Sequence, residues 1–255
     1  MHGTDACMVL TYHSISSGAG PTNIPPEVFA MQMAVVAEQG YRSLTAAEFI
    51  AWHDGGAPVA ERQLLITFDD AFRDFAERAA PILASHGLHA LVFVPTAKLG
   101  GDDDWEAPDH RRALMDWDEL RALQGMGVEF GSHSRTHRDL RRLEADALAV
   151  EIEGSRQDLT ERLGVPVTSF AAPFGTSNDA VRAAIAPNYA IAFGTRLDLA
   201  RQGRDRYDIP RLDMHYFRDR RRWRSLLEGD RRYLRRRQLL RAVRERVSGM
   251  IAKDS

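Results

Sequence analysis

Two clusters of ionisable side chains stand out in this chain. In Leu64-Leu65-Ile66-Thr67-Phe68-Asp69-Asp70, a run of apolar and β-branched residues ends in two adjacent carboxylates. In Gly131-Ser132-His133-Ser134-Arg135-Thr136-His137, two imidazoles stand four residues apart. Like charges a few Å apart resist joint ionisation, so the acid pair needs a compensating group. On a helical turn the i, i+4 spacing puts both histidines on one face. Two imidazoles and a carboxylate form a common catalytic zinc set with one open position. An ion held that way lowers the pKa of a water and polarises a carbonyl oxygen. The chemistry open to such a set is metal-assisted hydrolysis. Each cluster also has a plain structural reading. Asp69-Asp70 suits a helix N-cap ahead of Phe72, and nine histidines in 255 residues produce some such pairs by chance.

The elements that would position these groups follow from the spacing of apolar residues. The pattern predicts strands at 8–12, 64–68, 90–94, 128–130, 168–171, 189–193 and 209–212. Helices are predicted between them, at 26–39, 45–53, 72–86, 116–126, 144–163 and 178–186. Thr45 and Glu48 form a capping box, and Gly40, Gly87, Gly127 and Gly164 close four of the helices. The acidic stretch 101–108 reads as a surface loop. Strand and helix in alternation give an α/β chain, a distorted (β/α) barrel of about seven parallel strands with a basic C-terminal helix. Chemistry in such barrels sits at the C-terminal strand ends. His13, Asp69, Asp70, His133, Pro173-Phe174 and Asp213 all follow apolar runs, and the barrel would gather them at one mouth.

A length of 255 residues, 44% apolar and 27% charged, suits one undivided α/β barrel. The single cysteine, Cys7, excludes an internal disulfide framework. Residues 1–7 show neither a basic n-region nor a long apolar run, which reads as no signal peptide. No apolar run approaches bilayer length. The expectation is a cytoplasmic protein, with the inner face of the membrane as its margin.

Five motifs stand in order: Tyr12-His13-Ser14-Ile15, TFDDAFRDF (67–75), SHSRTHRDL (132–140), FAAPFG (170–175) and IPRLD (209–213). With them the chain resembles the polysaccharide deacetylases of carbohydrate esterase family 4 over roughly residues 8–215, with exopolysaccharide and holdfast adhesin deacetylases as a near group. The resemblance implies a (β/α) barrel that removes N-acetyl groups from N-acetylhexosamine units with one divalent metal, usually Zn2+. It implies Asp70, His133 and His137 as metal ligands and Asp69 as general base on the attacking water. It also implies Pro173 and Phe174 as substrate-binding residues, with the Phe174 N–H toward the oxyanion.

Three departures mark this chain. Ala71 replaces the glycine that usually follows the acid pair. Ala171 replaces the arginine of the Pro-aromatic motif, which normally orients the base. Arg211 is a candidate substitute as a bidentate partner of Asp69, and equally a surface partner of Asp213 or Asp208. The late Leu-x-His that protonates the leaving amine has no match. His13 and His215 are the candidates, with His13 nearer the expected mouth.

The chain divides into a barrel, 1–217, and an arginine-rich amphipathic helical extension, 218–255. Leu226, Leu227, Leu234, Leu239, Leu240, Val243 and Val247 recur there at helical spacing, so docking on the barrel with a solvated basic face is one reading. Peripheral membrane contact is another, and an acetylated polysaccharide or lipid-linked glycan precursor is the expected partner. No nucleic-acid motif is present. Two rival functions remain open: a glycan-binding barrel without catalysis, and an O-deacetylase or other C–N hydrolase using the same site. Trp105 and Trp117 are candidates to line a sugar groove.

Overall fold

The computed structural model describes residues 5–56 and 61–251, with side chains through 244. Residues 1–4 of the leader reading and the side chain of Val247 lie outside the described residues. Nine strands form one curled sheet: β1 (Ala6–Tyr12), β2 (Arg42–Ser43), β3 (Gln63–Phe68), β4 (Leu91–Val94), β5 (Glu129–Ser132), β6 (Ser169–Ala171), β7 (Ile191–Phe193), β8 (Ala200–Arg201) and β9 (Leu212–Asp213). Their order is β7-β6-β5-β4-β3-β1-β8, with β2 beside β3 and β9 beside β1. Every pairing is parallel except β1 with β8. This is the distorted (β/α) barrel. The predicted strand 209–212 is shorter than expected and closes the ring from both sides. Ile209 bridges Phe193 of β7, and Leu212 pairs with Leu10 of β1.

The strands are buried on both faces, which is why their sequences run continuously apolar. Residues of one parity, such as Leu10, Leu64, Ile66, Val92, Phe170 and Ala192, pack outward under the helices. Those of the other parity, including Val9, Leu65, Leu91, Phe93, Ala171 and Phe193, form a second, inner core. The helix α2 (Ala46–His53) contributes Phe49 and Trp52 to that inner core, where the Phe49 ring lies 5.7 Å from Phe193. Its capping box at Thr45 and Glu48 is formed as the sequence predicts. Side chains alternate along a strand, so the inward series Val9, Thr11, His13 and Leu65, Thr67, Asp69 deliver His13 and Asp69 to the same interior mouth.

The outer helices include α1 (Pro26–Glu38), α4 (Trp117–Gln124), α5 (Ala145–Leu163) and α6 (Asp179–Ile185). The helix predicted at 72–86 is interrupted. A π-helical turn, Phe75–Ala79, precedes α3 (Ala80–Ser85), and the Ala80 N–H donates to the Phe75 carbonyl. Pro81 lacks an N–H and crowds the preceding turn, and the wider π turn lies directly before it. The acidic stretch is likewise more than a surface loop. Asp103 is fully buried and holds Arg112 through two guanidinium bonds of 3.0 and 2.9 Å.

Trp223, Leu226, Leu227 and Leu234 join the same core. In α7 (Arg220–Leu227) Trp223 is fully buried and its indole N–H donates to the Gln32 carbonyl of α1 at 3.0 Å. In α8 (Arg232–Ile251) Leu234 is buried, whereas Leu239, Leu240 and Val243 are exposed. No helix among the described residues is long and apolar enough to cross a membrane.

Candidate metal centre and catalytic cleft

The strand ladders continue one residue past β3 and β5, and those residues carry the chemistry. The Asp69 N–H donates to the Tyr12 carbonyl at 3.0 Å, and the His133 N–H to the Val94 carbonyl at 2.9 Å. The chain then turns sharply. Asp70 and Ala71 both adopt left-handed backbone, with φ of 73° and 56°. The family's usual glycine fits that conformation without cost, and Ala71 holds it with a Cβ.

The turn aims Asp70 away from Asp69 and toward the histidines. Its Oδ1 lies 3.3 Å from His133 Nε2 and 3.2 Å from His137 Nε2. All three side chains are buried. The histidines do not share a helical turn, contrary to the spacing argument. Residues 133–139 form a loop in which Ser134 and His137 have φ of 64° and 56°. Hydrogen bonds replace the helix as the positioning device. Glu151, buried on α5, accepts the N–H groups of Arg135 and Thr136 at 2.9 and 2.8 Å and also the Thr136 hydroxyl. The sequence reading missed Glu151. Its buried acid on an amphipathic helix is the signal that would have found it.

The donor set fits a divalent ion. Ligands 2.0–2.1 Å from zinc in a tetrahedron stand roughly 3.4 Å apart, close to the two separations observed. His133 Nδ1 lies 2.7 Å from the Ala171 carbonyl. A carbonyl only accepts, so that nitrogen carries the proton and Nε2 of the neutral ring points a lone pair at the Asp70 oxygen. A cation between them resolves the conflict. The other resolution is a proton on Nε2: burial opposes ionisation of Asp70, but hydrogen bonds from protonated imidazole nitrogens outweigh it and hold the carboxyl well below its ordinary range. Burial also acts against the His133 imidazolium, yet Asp70 and Asp69 push its pKa up. At His137 burial prevails and the pKa falls.

Asp69 has a different partner. Arg211, 1% exposed, donates Nη1 and Nη2 to its two oxygens at 2.7 and 2.8 Å. Arg211 is itself fixed by the Gly194 carbonyl at 2.8 Å and the Thr67 hydroxyl at 3.2 Å. The alternative partners Asp208 and Asp213 do not take it. Burial alone would raise the Asp69 carboxyl, and the guanidinium more than offsets this and keeps it low. The two adjacent carboxylates therefore coexist because each faces its own compensating group.

His13 Nε2 stands 3.7 Å from Asp69 Oδ2 and lines a cleft of ≈ 400 Å³ together with Thr11, Phe174, Arg211, Asp213 and Tyr216. His215 is not among the cleft's lining residues, and burial lowers its pKa. Asp74, another residue the sequence reading passed over, accepts the Ile15 N–H at 2.9 Å and the Ser14 hydroxyl, fixing the chain just after His13. Pro173 is buried, and Phe174 follows in left-handed backbone with φ 59° and its ring exposed. Proline has no N–H, so Phe174 supplies the first amide donor of this turn. Its ring meets His137 edge-on at 4.7 Å, while Trp105 stacks on the His137 ring at 3.8 Å. Trp117 instead lies under the Arg162 guanidinium.

A curled (β/α) barrel with an Asp-His-His cluster and an arginine-held aspartate at the C-terminal strand ends defines a hydrolase-type site. The chain belongs to the polysaccharide deacetylase family, whose model matches residues 56–189. It is 25% identical over 205 residues to YxkH of Bacillus subtilis (strain 168), covering 80% of this chain and 70% of that protein. It is 28% identical over 138 residues to the poly-beta-1,6-N-acetyl-D-glucosamine N-deacetylase of Escherichia coli (strain K12), covering 50% of this chain and 20% of that enzyme. In fold it is similar to the Streptococcus pyogenes deacetylase PplD in complex with acetate, with TM-score 0.73, 22% identity, and coverage of 83% of this chain and 92% of that one. IcaB from Ammonifex degensii gives TM-score 0.73 and 20% identity over 89% and 97% of the two chains.

Proposed function

We propose that the protein is a metal-dependent hydrolase that removes N-acetyl groups from N-acetylhexosamine units of a bacterial polysaccharide or its precursor. The observation that carries the reading is the separation of roles in the acid pair. Asp70 faces two imidazole nitrogens at ligand–ligand distances, and Asp69 is held beside it by Arg211. Asp70, His133 and His137 would hold the ion, with zinc as the first candidate. When bound there, a divalent ion polarises the acetamido carbonyl and lowers the pKa of an adjacent water.

The chain's own residues do the rest. Asp69, kept ionised by Arg211, accepts the proton of the attacking water. The Phe174 amide donates to the oxyanion that develops on the acetyl carbonyl, a type of contact worth about 3 kcal/mol of barrier. His13, beside Asp69 in the cleft, donates a proton to the departing amine nitrogen. Trp105 and Phe174 offer ring faces at the site where a pyranose can stack. The buried, preassembled Asp-His-His cluster favours this reading over a glycan-binding barrel without catalysis. An O-acetyl substrate would use the same residues.

The test is metal content and acetate release together. Purified protein is expected to carry about one equivalent of a divalent ion, and His133→Ala to lose it. Asp69→Asn is expected to keep the ion and lose acetate release from N-acetylglucosamine oligomers. Full activity in Asp69→Asn would overturn the base assignment, and release of O-acetyl but not N-acetyl groups would overturn the substrate assignment.

A further inference from the structure

We infer that the hollow between α8 and the 3-10 turn Met214–Phe217 binds a phosphate group carried by the glycan substrate. The inference rests on the deacetylase reading, and it extends that reading from the reacting acetamido group to a second feature of the substrate.

The hollow, of ≈ 180 Å³, is lined by Tyr216, Arg237, Leu240, Arg241 and Arg244. Three of these are arginines, and among the described residues no carboxylate lines the hollow. It shares Tyr216, Arg241 and Arg244 as lining with the cleft that holds His13 and Arg211. The carboxylate of that cleft, Asp213, accepts the His215 N–H at 2.9 Å. Three arginines elsewhere on this part of the chain hold an acid. Arg220 and Arg224 share Glu38, and Arg232 holds Asp230. Among the described residues no ion pair joins Arg237 or Arg244 to an acid. Arg237 lies over the Tyr216 ring at 4.1 Å, and its Nε is buried without a hydrogen-bond partner. Buried donors are normally satisfied, and this N–H, like the Nε of Arg156, Arg182 and Arg218, has no acceptor among the protein atoms, so a ligand oxygen in the hollow can take it. Arg241 donates to the Thr195 carbonyl at 2.8 Å, which fixes α8 against the barrel.

The ligand chemistry follows from charge and shape. Guanidinium forks match the paired oxygens of carboxylates and phosphates. An acidic sugar would bring one negative charge to the two guanidinium groups, Arg237 and Arg244, that pair with no described acid, whereas a phosphate monoester or a diphosphate brings about two. The phosphate could sit on the glycan itself or join it to a lipid.

The experiment compares the wild type with Arg237→Gln/Arg244→Gln, using circular dichroism to check that both fold. Inorganic phosphate is the binding probe, read by thermal shift. The part of the shift lost in the double variant reports the arginines rather than the metal. Kinetics then compare a neutral N-acetylglucosamine oligomer with the same oligomer bearing a reducing-end phosphate, and with that glycan on a polyprenyl diphosphate in micelles. The expected result is a phosphate-dependent shift that the double variant loses. A kcat/KM at least tenfold higher for a phosphorylated substrate is also expected, with that ratio falling about tenfold in the variant. Preference for the polyprenyl form over the soluble phosphate supports the lipid-linked source, and equal preference supports phosphate on the glycan. An unchanged thermal shift in the variant, or a ratio near one in the wild type, would overturn the inference. So would binding to phosphatidylglycerol vesicles without any response to phosphate. Arginine-dependent phosphate binding with no acetate released from any substrate would instead sink the deacetylase reading and leave the anion site standing.

Discussion

Replacing Arg211 with methionine tests the arrangement at its most sensitive point. Arg211 is 1% exposed and gives Asp69 both of its close charge-assisted bonds, at 2.7 and 2.8 Å. Methionine keeps most of the volume and removes the cation. Asp69, itself 3% exposed, would then have no charged donor at hydrogen-bond distance, with His13 at 3.7 Å. Removing one partner of a buried ion pair costs about 3–5 kcal/mol, because the remaining charge stays desolvated. At about 2–4 °C per kcal/mol for a chain of this size, the midpoint of thermal unfolding should fall by roughly 6–20 °C. The informative comparison is Asp69→Asn/Arg211→Met, in which neither charge remains. It should be more stable than Arg211→Met alone by about 1–3 kcal/mol, since no orphan carboxylate is left. Both variants are measured by urea unfolding after EDTA treatment, so that metal binding adds nothing to the folded state. A cost under about 1 kcal/mol for Arg211→Met, or strict additivity in the double variant, would refute a buried, mutually dependent pair.

Other expectations follow from the same geometry. Glu151→Gln should weaken metal affinity by about 10–100-fold, because Glu151 shapes the loop that carries both histidines; competition with a chromogenic chelator measures it. Gly131→Ala should destabilise the fold by about 1–3 kcal/mol in urea unfolding, since a Cβ there would meet Phe93 at 2.6 Å and the Ser169 carbonyl at 3.0 Å. Burial holds the His53 imidazole below its ordinary pKa. The unfolded chain therefore binds that proton first, and the contribution of His53 to stability is present above the unfolded value and lost as pH falls toward the folded one. His53→Gln should lose less stability than the wild type between pH 7 and 5.

Much of the fold was legible because parallel strands buried on both faces leave long apolar runs, and helix ends leave caps such as Thr45 with Glu48. The π turn before α3 was not, because only Pro81 hints at it. Strand ends were legible too, so Asp69, Asp70, His13 and His133 were found as neighbours of apolar runs. The shape of the loop carrying His137 was misjudged. A four-residue spacing serves a helix and a left-handed loop alike, and Glu151, which decides between them, lies far along the chain.

What the sequence determined by itself is local: residue type, strand parity and the chemistry that two acids and two imidazoles permit. The tertiary structure decided which charge faces which. Arg211 could pair with any of three aspartates by sequence, and barrel closure through Ile209 and Leu212 is what sets it on Asp69. Likewise, helical spacing showed that α8 is basic but not what its arginines face. Their place beside the catalytic cleft depends on packing between segments distant in the chain, such as Arg241 against Thr195, which no periodicity encodes.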